Sequence, residues 1–171
     1  MISTIEAISS LDQAVPTPNH GLPDEVFYYI SRTTPLINVD LLVRDPQRGV
    51  LLSWRDDPFC GAGWHVPGGV IRYKEKIETR IQQVACNELG AGSVVCDLIP
   101  QAVNEIIVDP KRDRAHFISM LYYCKVGVGY QIDNGKLAPN EPGYLMWHLH
   151  CPDDLLSWHE MYRPYIEHKK E

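Results

Sequence analysis

From residue 76 to residue 90 the apolar positions recur three and four residues apart. At about 100° per residue, Ile77, Ile81, Val84, Ala85 and Leu89 fall in one stripe, which predicts a core-facing helix. Glu88 falls inside that stripe. A carboxylate there costs several kcal/mol, roughly, unless it is paired, protonated or bound to a cation. The pattern leaves two readings of Glu88, a buried ion pair or a metal ligand.

The remaining elements follow from the same kind of pattern. Ile5, Ile8 and Leu11 have helical spacing, and the run Val15 to Gly21 breaks it. Pro23 followed by Asp24 and Glu25 opens a second helix, to Ser31, which Pro35 limits. Ile37 to Val43 and Val50 to Trp54 read as a hairpin around the turn Asp45 to Gly49. Asp56 to Gly63 is expected as a loop and Trp64 to Val66 as a short strand. Strand-like runs follow at Ser93 to Leu98, Gln101 to Val108, Ala115 to Val126 and Tyr144 to His150. A closing helix is expected from Pro152, limited or kinked by Pro164. His65 reads as a packed histidine. His148 and His150 share a strand face but have no third ligand nearby.

Composition narrows the class. The chain has 171 residues, 44% of them apolar, which fits one domain, residues 1 to 171, with a helical extension over about 1 to 34. No apolar run approaches the length of a membrane span, and the N-terminus lacks the pattern of a secretory signal, so a cytoplasmic protein with no membrane partner is expected. A formal charge of −6 argues against nucleic acid as a partner. Five cysteines, widely spaced and without a paired motif, are expected to be reduced thiols.

In the Gln101 run, Val103, Glu105 and Ile107 share a face by strand alternation, which makes Glu105 a second carboxylate between apolar neighbours. Gly68 and Gly69 precede the long helix and allow close backbone approach, with a carbonyl that can serve a hard cation.

The stretch Trp64-His65-Val66-Pro67-Gly68-Gly69, then Glu75, then a helix ending Glu88-Leu89-Gly90, resembles the Nudix box. In that box Gln83 stands for Arg, Val84 for the first Glu and Asn87 for the next. With Thr33-Thr34-Pro35-Leu36, Asp40 and the run Leu51 to Arg55, it is similar to the GDP-mannose mannosyl hydrolase branch over roughly residues 30 to 150. The resemblance implies an α/β fold, a mixed curved sheet between helices. It also implies one Mg²⁺ or Mn²⁺ held by Gly68, Glu88 and Glu105, and a nucleotide sugar contacted by Asp40, Arg55 and Arg72. The expected partner is therefore a small nucleotide sugar, with the protein acting as a homodimer.

That branch places a general-base His one residue after its metal ligand, and here the position is Ile106. Asp109, Asp113 and His116 are the candidates left for a base. A helix left with only Glu88 of the box acids suits attack of water on the sugar's anomeric carbon, which needs one cation, better than attack on phosphorus. A non-catalytic nucleotide-sugar sensor and a phosphorus-attacking pyrophosphatase are the alternatives.

Overall fold

The computed structural model describes residues 2–58, 61–108 and 116–167. It is an α/β structure built on one mixed sheet, as expected. Eight strands form it: β1 Leu36–Asp45, β2 Gly49–Asp57, β3 Gly61–His65, β4 Gly68–Val70, β5 Val94–Cys96, β6 Ala102–Ile107, β7 His116–Val126 and β8 Leu145–His148. The helices are α1 Thr4–Ala14, α2 Asp24–Ser31, α3 Ile77–Leu89 and α4 Arg163–Glu167.

The centre of the sheet is β1. It pairs parallel with β7 over Leu36 to Val43, while its other edge is shared between β4 (Asn38 to Asp40) and β2 (Arg44 and Asp45). Its central residue on that edge, Leu41, donates its backbone N–H to the Pro67 carbonyl at 2.8 Å. The sheet therefore divides at the glycine turn, between β4 and β2. β2 continues the sheet to β3 and β8, and β6 and β5 pair with β7.

Alternation along β1 sorts its side chains. Val39, Leu41 and Val43 pack in one core with Ile81, Val84, Ala85 and Leu89 of α3. Leu42 belongs to the other core, with Trp54, Trp64, Val66, Tyr162 and Ile166. On that side Arg44 donates to the carbonyls of Tyr165 and Ile166 at 2.6 and 2.9 Å, tying the C-terminal segment to the sheet. Gly90 closes α3 with φ +60°, the left-handed conformation that a C-terminal glycine supplies without steric cost.

Several local expectations change. Asp56, Asp57 and Gly61 to Gly63 belong to β2 and β3, because Asp56 pairs with Ala62 and Asp57 with Gly61. The glycine turn carries a short strand, β4. The closing helix starts later than Pro152: a 3₁₀ turn, Ser157–Tyr162, leads into α4, where Pro164 lies in the first turn and needs no backbone N–H. The first helix is capped by a reciprocal pair, Ser3 Oγ accepting from the Glu6 amide and Glu6 accepting from the Ser3 amide, yet it buries no side chain.

The five cysteines are not all thiols. Cys96 and Cys124 face each other across β5 and β7 and are joined by a disulfide, with Cα atoms 4.2 Å apart. They are 28 positions apart in sequence, and only the strand register brings them together. Cys86 and Cys151 are free, the first exposed and the second buried. Among the described residues no helix is long and apolar enough to cross a membrane.

Candidate active site

The turn before α3 is fixed by ion pairing. Glu75 accepts from Arg80 Nε at 2.8 Å and from its Nη2 at 2.9 Å, and also takes the Arg72 amide at 2.9 Å. Burial pushes the Glu75 carboxyl up, but the Arg80 fork and the Arg72 amide outweigh it and hold its pKa below the ordinary value. Gly69 then lies flat against α3: a Cβ there would meet Val84 Cγ2 at 3.0 Å. Glu88 is one helical turn beyond Val84, on the same side of α3.

Glu88 lines a cavity of about 580 Å³ with Ser53, Trp54, Arg55, His65 and Asp133 among its walls. It sits at the edge of the apolar stripe, with its side chain 30% exposed. Opposite it is His65, a buried residue whose Nδ1 lies 2.7 Å from the Ser53 carbonyl. A carbonyl only accepts, so Nδ1 carries the proton in that bond. Nε2 then faces Glu88 Oε2 at 3.8 Å. The packed-histidine reading of His65 accounts for its burial and misses this orientation.

Beneath the glycine turn lies a second polar cluster. Asp40 is fully buried and accepts from the hydroxyls of Ser119 and Tyr162, the latter at 2.6 Å, while those hydroxyls lie 2.8 Å apart. A Cβ at Gly68 would overlap Asp40 Oδ1, so glycine is what lets the turn close over this carboxylate. Burial raises the Asp40 pKa to about 6, partly offset by the two hydroxyl bonds and the nearby His65, with Glu88 adding a small upward push. Behind it His159 accepts the Val66 amide at 3.0 Å through Nδ1. Burial pushes its pKa down to about 3, so the ring is neutral. Replacing Tyr162 by Phe leaves Asp40 with one hydroxyl donor fewer. We expect a loss of about 1–3 kcal/mol in urea unfolding.

The structure thus separates the residues singled out in the sequence. Glu88 and Arg55 share the cavity. Gly68 and Asp40 adjoin each other, but Asp40 is sealed under the turn and is not in the cavity wall. Arg72 points the other way, with Nη1 3.4 Å from the Asn19 carbonyl, into a groove lined by the N-terminal segment. Glu105 is on the exposed face of β6, an edge strand, with its side chain 63% exposed and 3.3 Å from His116 Nε2. It does not line the cavity. Val103 and Ile107, its apolar neighbours, are themselves exposed, so the alternation that marked Glu105 as buried identified the wrong face. The half-buried residues of β6 are Ala102, Asn104 and Ile106, and Asn104 is the cross-strand neighbour of Ser119. His116 pairs with Glu105 away from the cavity, and Asp109 and Asp113 lie outside the described residues. His148 packs edge-on against Trp64, whereas His150 lies 3.6 Å from Glu167, so the two histidines do not form a pair.

Asp56, Asp133 and His65 are titratable residues of the cavity wall that sequence reasoning missed. Asp133 sits in a loop with no periodicity to mark it. His65 had a signal, its place in the strand just before the glycine turn. Among the described residues no three of His, Cys, Asp and Glu converge as a complete metal cluster.

No family model matches the sequence. A glycan biosynthesis protein of Haloferax volcanii, described as low-salt glycan biosynthesis protein Agl8, is 36% identical over 73 residues, 43% of this chain and 46% of that protein. The match spans less than half the length of this relative. Among solved structures, a NUDIX hydrolase from Nitrosomonas europaea is similar with a TM-score of 0.52 and 12% identity, covering 80% of this chain and 82% of that one. A NUDIX-family hydrolase from Clostridium perfringens is similar with a TM-score of 0.52 and 17% identity, covering 71% and 89%. The chain has the Nudix fold.

Proposed function

We propose that this protein is a hydrolase of the Nudix superfamily that acts on a nucleoside diphosphate sugar at the anomeric carbon. The observation that carries the reading is that α3 presents a single carboxylate, Glu88, to a cavity that also holds Arg55. Val84, at the box position where the resembling family has an acid, is buried against Gly69 instead. A helix that presents one acid to the cavity, its other acid Glu78 lying in the first turn, cannot hold the several cations that attack on phosphorus employs.

The reaction suited to this set breaks the bond between the anomeric carbon and the diphosphate oxygen. Water supplies the new oxygen on carbon, and the nucleoside diphosphate leaves with the electron pair. Arg55 offers a guanidinium to the departing charge. A single divalent cation, expected as Mg²⁺ or Mn²⁺, supplies Lewis-acid stabilisation of the same leaving group when bound. Glu88 is the carboxylate that would hold it. The glycan-biosynthesis description of the Haloferax volcanii relative supports a sugar-bearing substrate.

Hydrolysis in ¹⁸O-water distinguishes the bonds. The label is expected in the free sugar, with none in the nucleoside diphosphate. Label in phosphate would overturn the carbon-centred reading in favour of a pyrophosphatase. Saturable binding of nucleotide sugars without turnover would favour a sensor.

A further inference from the structure

We infer that His65 and Glu88 together form a mixed nitrogen and oxygen cation site that favours a late transition ion, of the cobalt and zinc class, over Mg²⁺. The inference rests on the proposed function only for the presence of a divalent cation in this cavity. Its basis is the orientation of one buried ring.

His65 Nδ1 donates its hydrogen bond to the Ser53 carbonyl, which makes Nε2 the ring nitrogen available to a cation. The ring is only 6% exposed, and Nε2 is directed towards the cavity, where its described neighbour is a carboxylate oxygen at 3.8 Å. A histidine that donates one ring nitrogen to a backbone carbonyl and offers the other to an acidic cavity has the arrangement of a metal-binding imidazole with its outer hydrogen bond in place. The carbonyl sits on β2 directly opposite His65 on β3, so two paired strands hold the ring and only Glu88, on the helix, is free to adjust.

The separation fits a bridged cation, since adjacent ligands of a divalent ion lie about 3–3.4 Å apart and the partly exposed end of Glu88 can close the observed 3.8 Å. The choice of ion rests on ligand chemistry, since imidazole suits zinc, cobalt and nickel, while Mg²⁺ takes oxygen ligands. The hard third ligand expected from Glu105 is absent here, because Glu105 is on an exposed edge strand. The protein would supply two ligands, leaving the other positions to water or to phosphate oxygens.

The test uses the whole chain, stripped of metal and titrated with ZnCl₂ while the histidine ring nitrogens are observed by ¹⁵N NMR and binding by calorimetry. One equivalent of Zn²⁺ is expected to shift His65 Nε2 alone out of the unprotonated range. His65→Gln and Glu88→Gln should each weaken Zn²⁺ at least tenfold, and Mg²⁺ at the same concentration should leave the ring unshifted. Circular dichroism of both variants checks the fold. Should His65→Gln not fold, Glu88→Gln decides the matter, since it leaves the Ser53 bond intact. Zn²⁺ affinity unchanged in Glu88→Gln, a shift confined to other histidines, or no Zn²⁺ binding at all would overturn the site. A His65 shift in a protein that turns over no nucleotide sugar with any ion would leave the site standing and remove the proposed reaction.

Discussion

Replacing Arg80 by Ala is expected to destabilise the protein by about 3–5 kcal/mol, the usual cost of removing one member of a buried, hydrogen-bonded ion pair. The side chains of Arg80 and Glu75 are only 8% and 11% exposed, and the guanidinium meets both carboxylate oxygens. Without Arg80, a charged Glu75 would remain buried with only the Arg72 amide as its partner. Glu75 has a folded-state pKa below its ordinary value, so the stabilisation it carries is present above that ordinary value and is lost as pH falls through the folded value. The difference between wild type and Arg80→Ala in urea unfolding should therefore be largest near neutral pH and shrink in acid. Replacing both residues by Leu should recover most of the loss, because the pair contributes little over an apolar contact of similar volume. A difference below about 1 kcal/mol at pH 7 would mean that the turn before α3 is held by backbone bonds alone.

This pair shows what the sequence could and could not reveal. The resemblance places an Arg at position 83, where the chain has Gln83, and an exposed Gln there is what the structure contains. The cation facing Glu75 comes from position 80, almost one turn earlier, where a Cβ on Gly69 would meet the stem of the Arg80 side chain at 3.6 Å. No periodicity reveals that exchange, since Arg80 is charged and scores as a surface residue. The elements themselves were legible because they depend on local pattern: α2 occupies Asp24 to Ser31 as read, and α3 differs from expectation by one residue at each end. Glu88 was legible because an acid at an apolar helical position is a local conflict. Glu105 misled because strand alternation gives two faces without saying which is covered, and among the described residues the face of β6 bearing Val103, Glu105 and Ile107 is exposed. The Cys96–Cys124 bond and the Asp40–Ser119–Tyr162 cluster depend on register between distant strands, which one sequence does not encode in any local form.

The second large effect concerns Asp40, whose ionisation the fold opposes. Its pKa rises from 3.8 to about 6 on folding because burial disfavours the charged form, and the hydroxyls of Ser119 and Tyr162 only partly compensate. A shift of that size corresponds to roughly 3 kcal/mol. The sign follows from the direction: the favourable contribution of protonated Asp40 is fully present below pH 4 or so and is lost as pH rises through about 6. Asp40→Asn removes the ionisation while keeping a side-chain oxygen that accepts from both hydroxyls. The variant's stability relative to wild type should therefore climb by up to about 3 kcal/mol between pH 4 and pH 8, whatever small offset the amide introduces beside Gly68. Glu88→Gln in the wild-type background should move the midpoint of that climb to lower pH, because the Glu88 charge adds to the upward shift. Parallel stability curves for wild type and Asp40→Asn across this range would show that the carboxylate keeps its ordinary pKa under the glycine turn. The enclosure of Asp40 by Gly68 would then not be as tight as the structure describes.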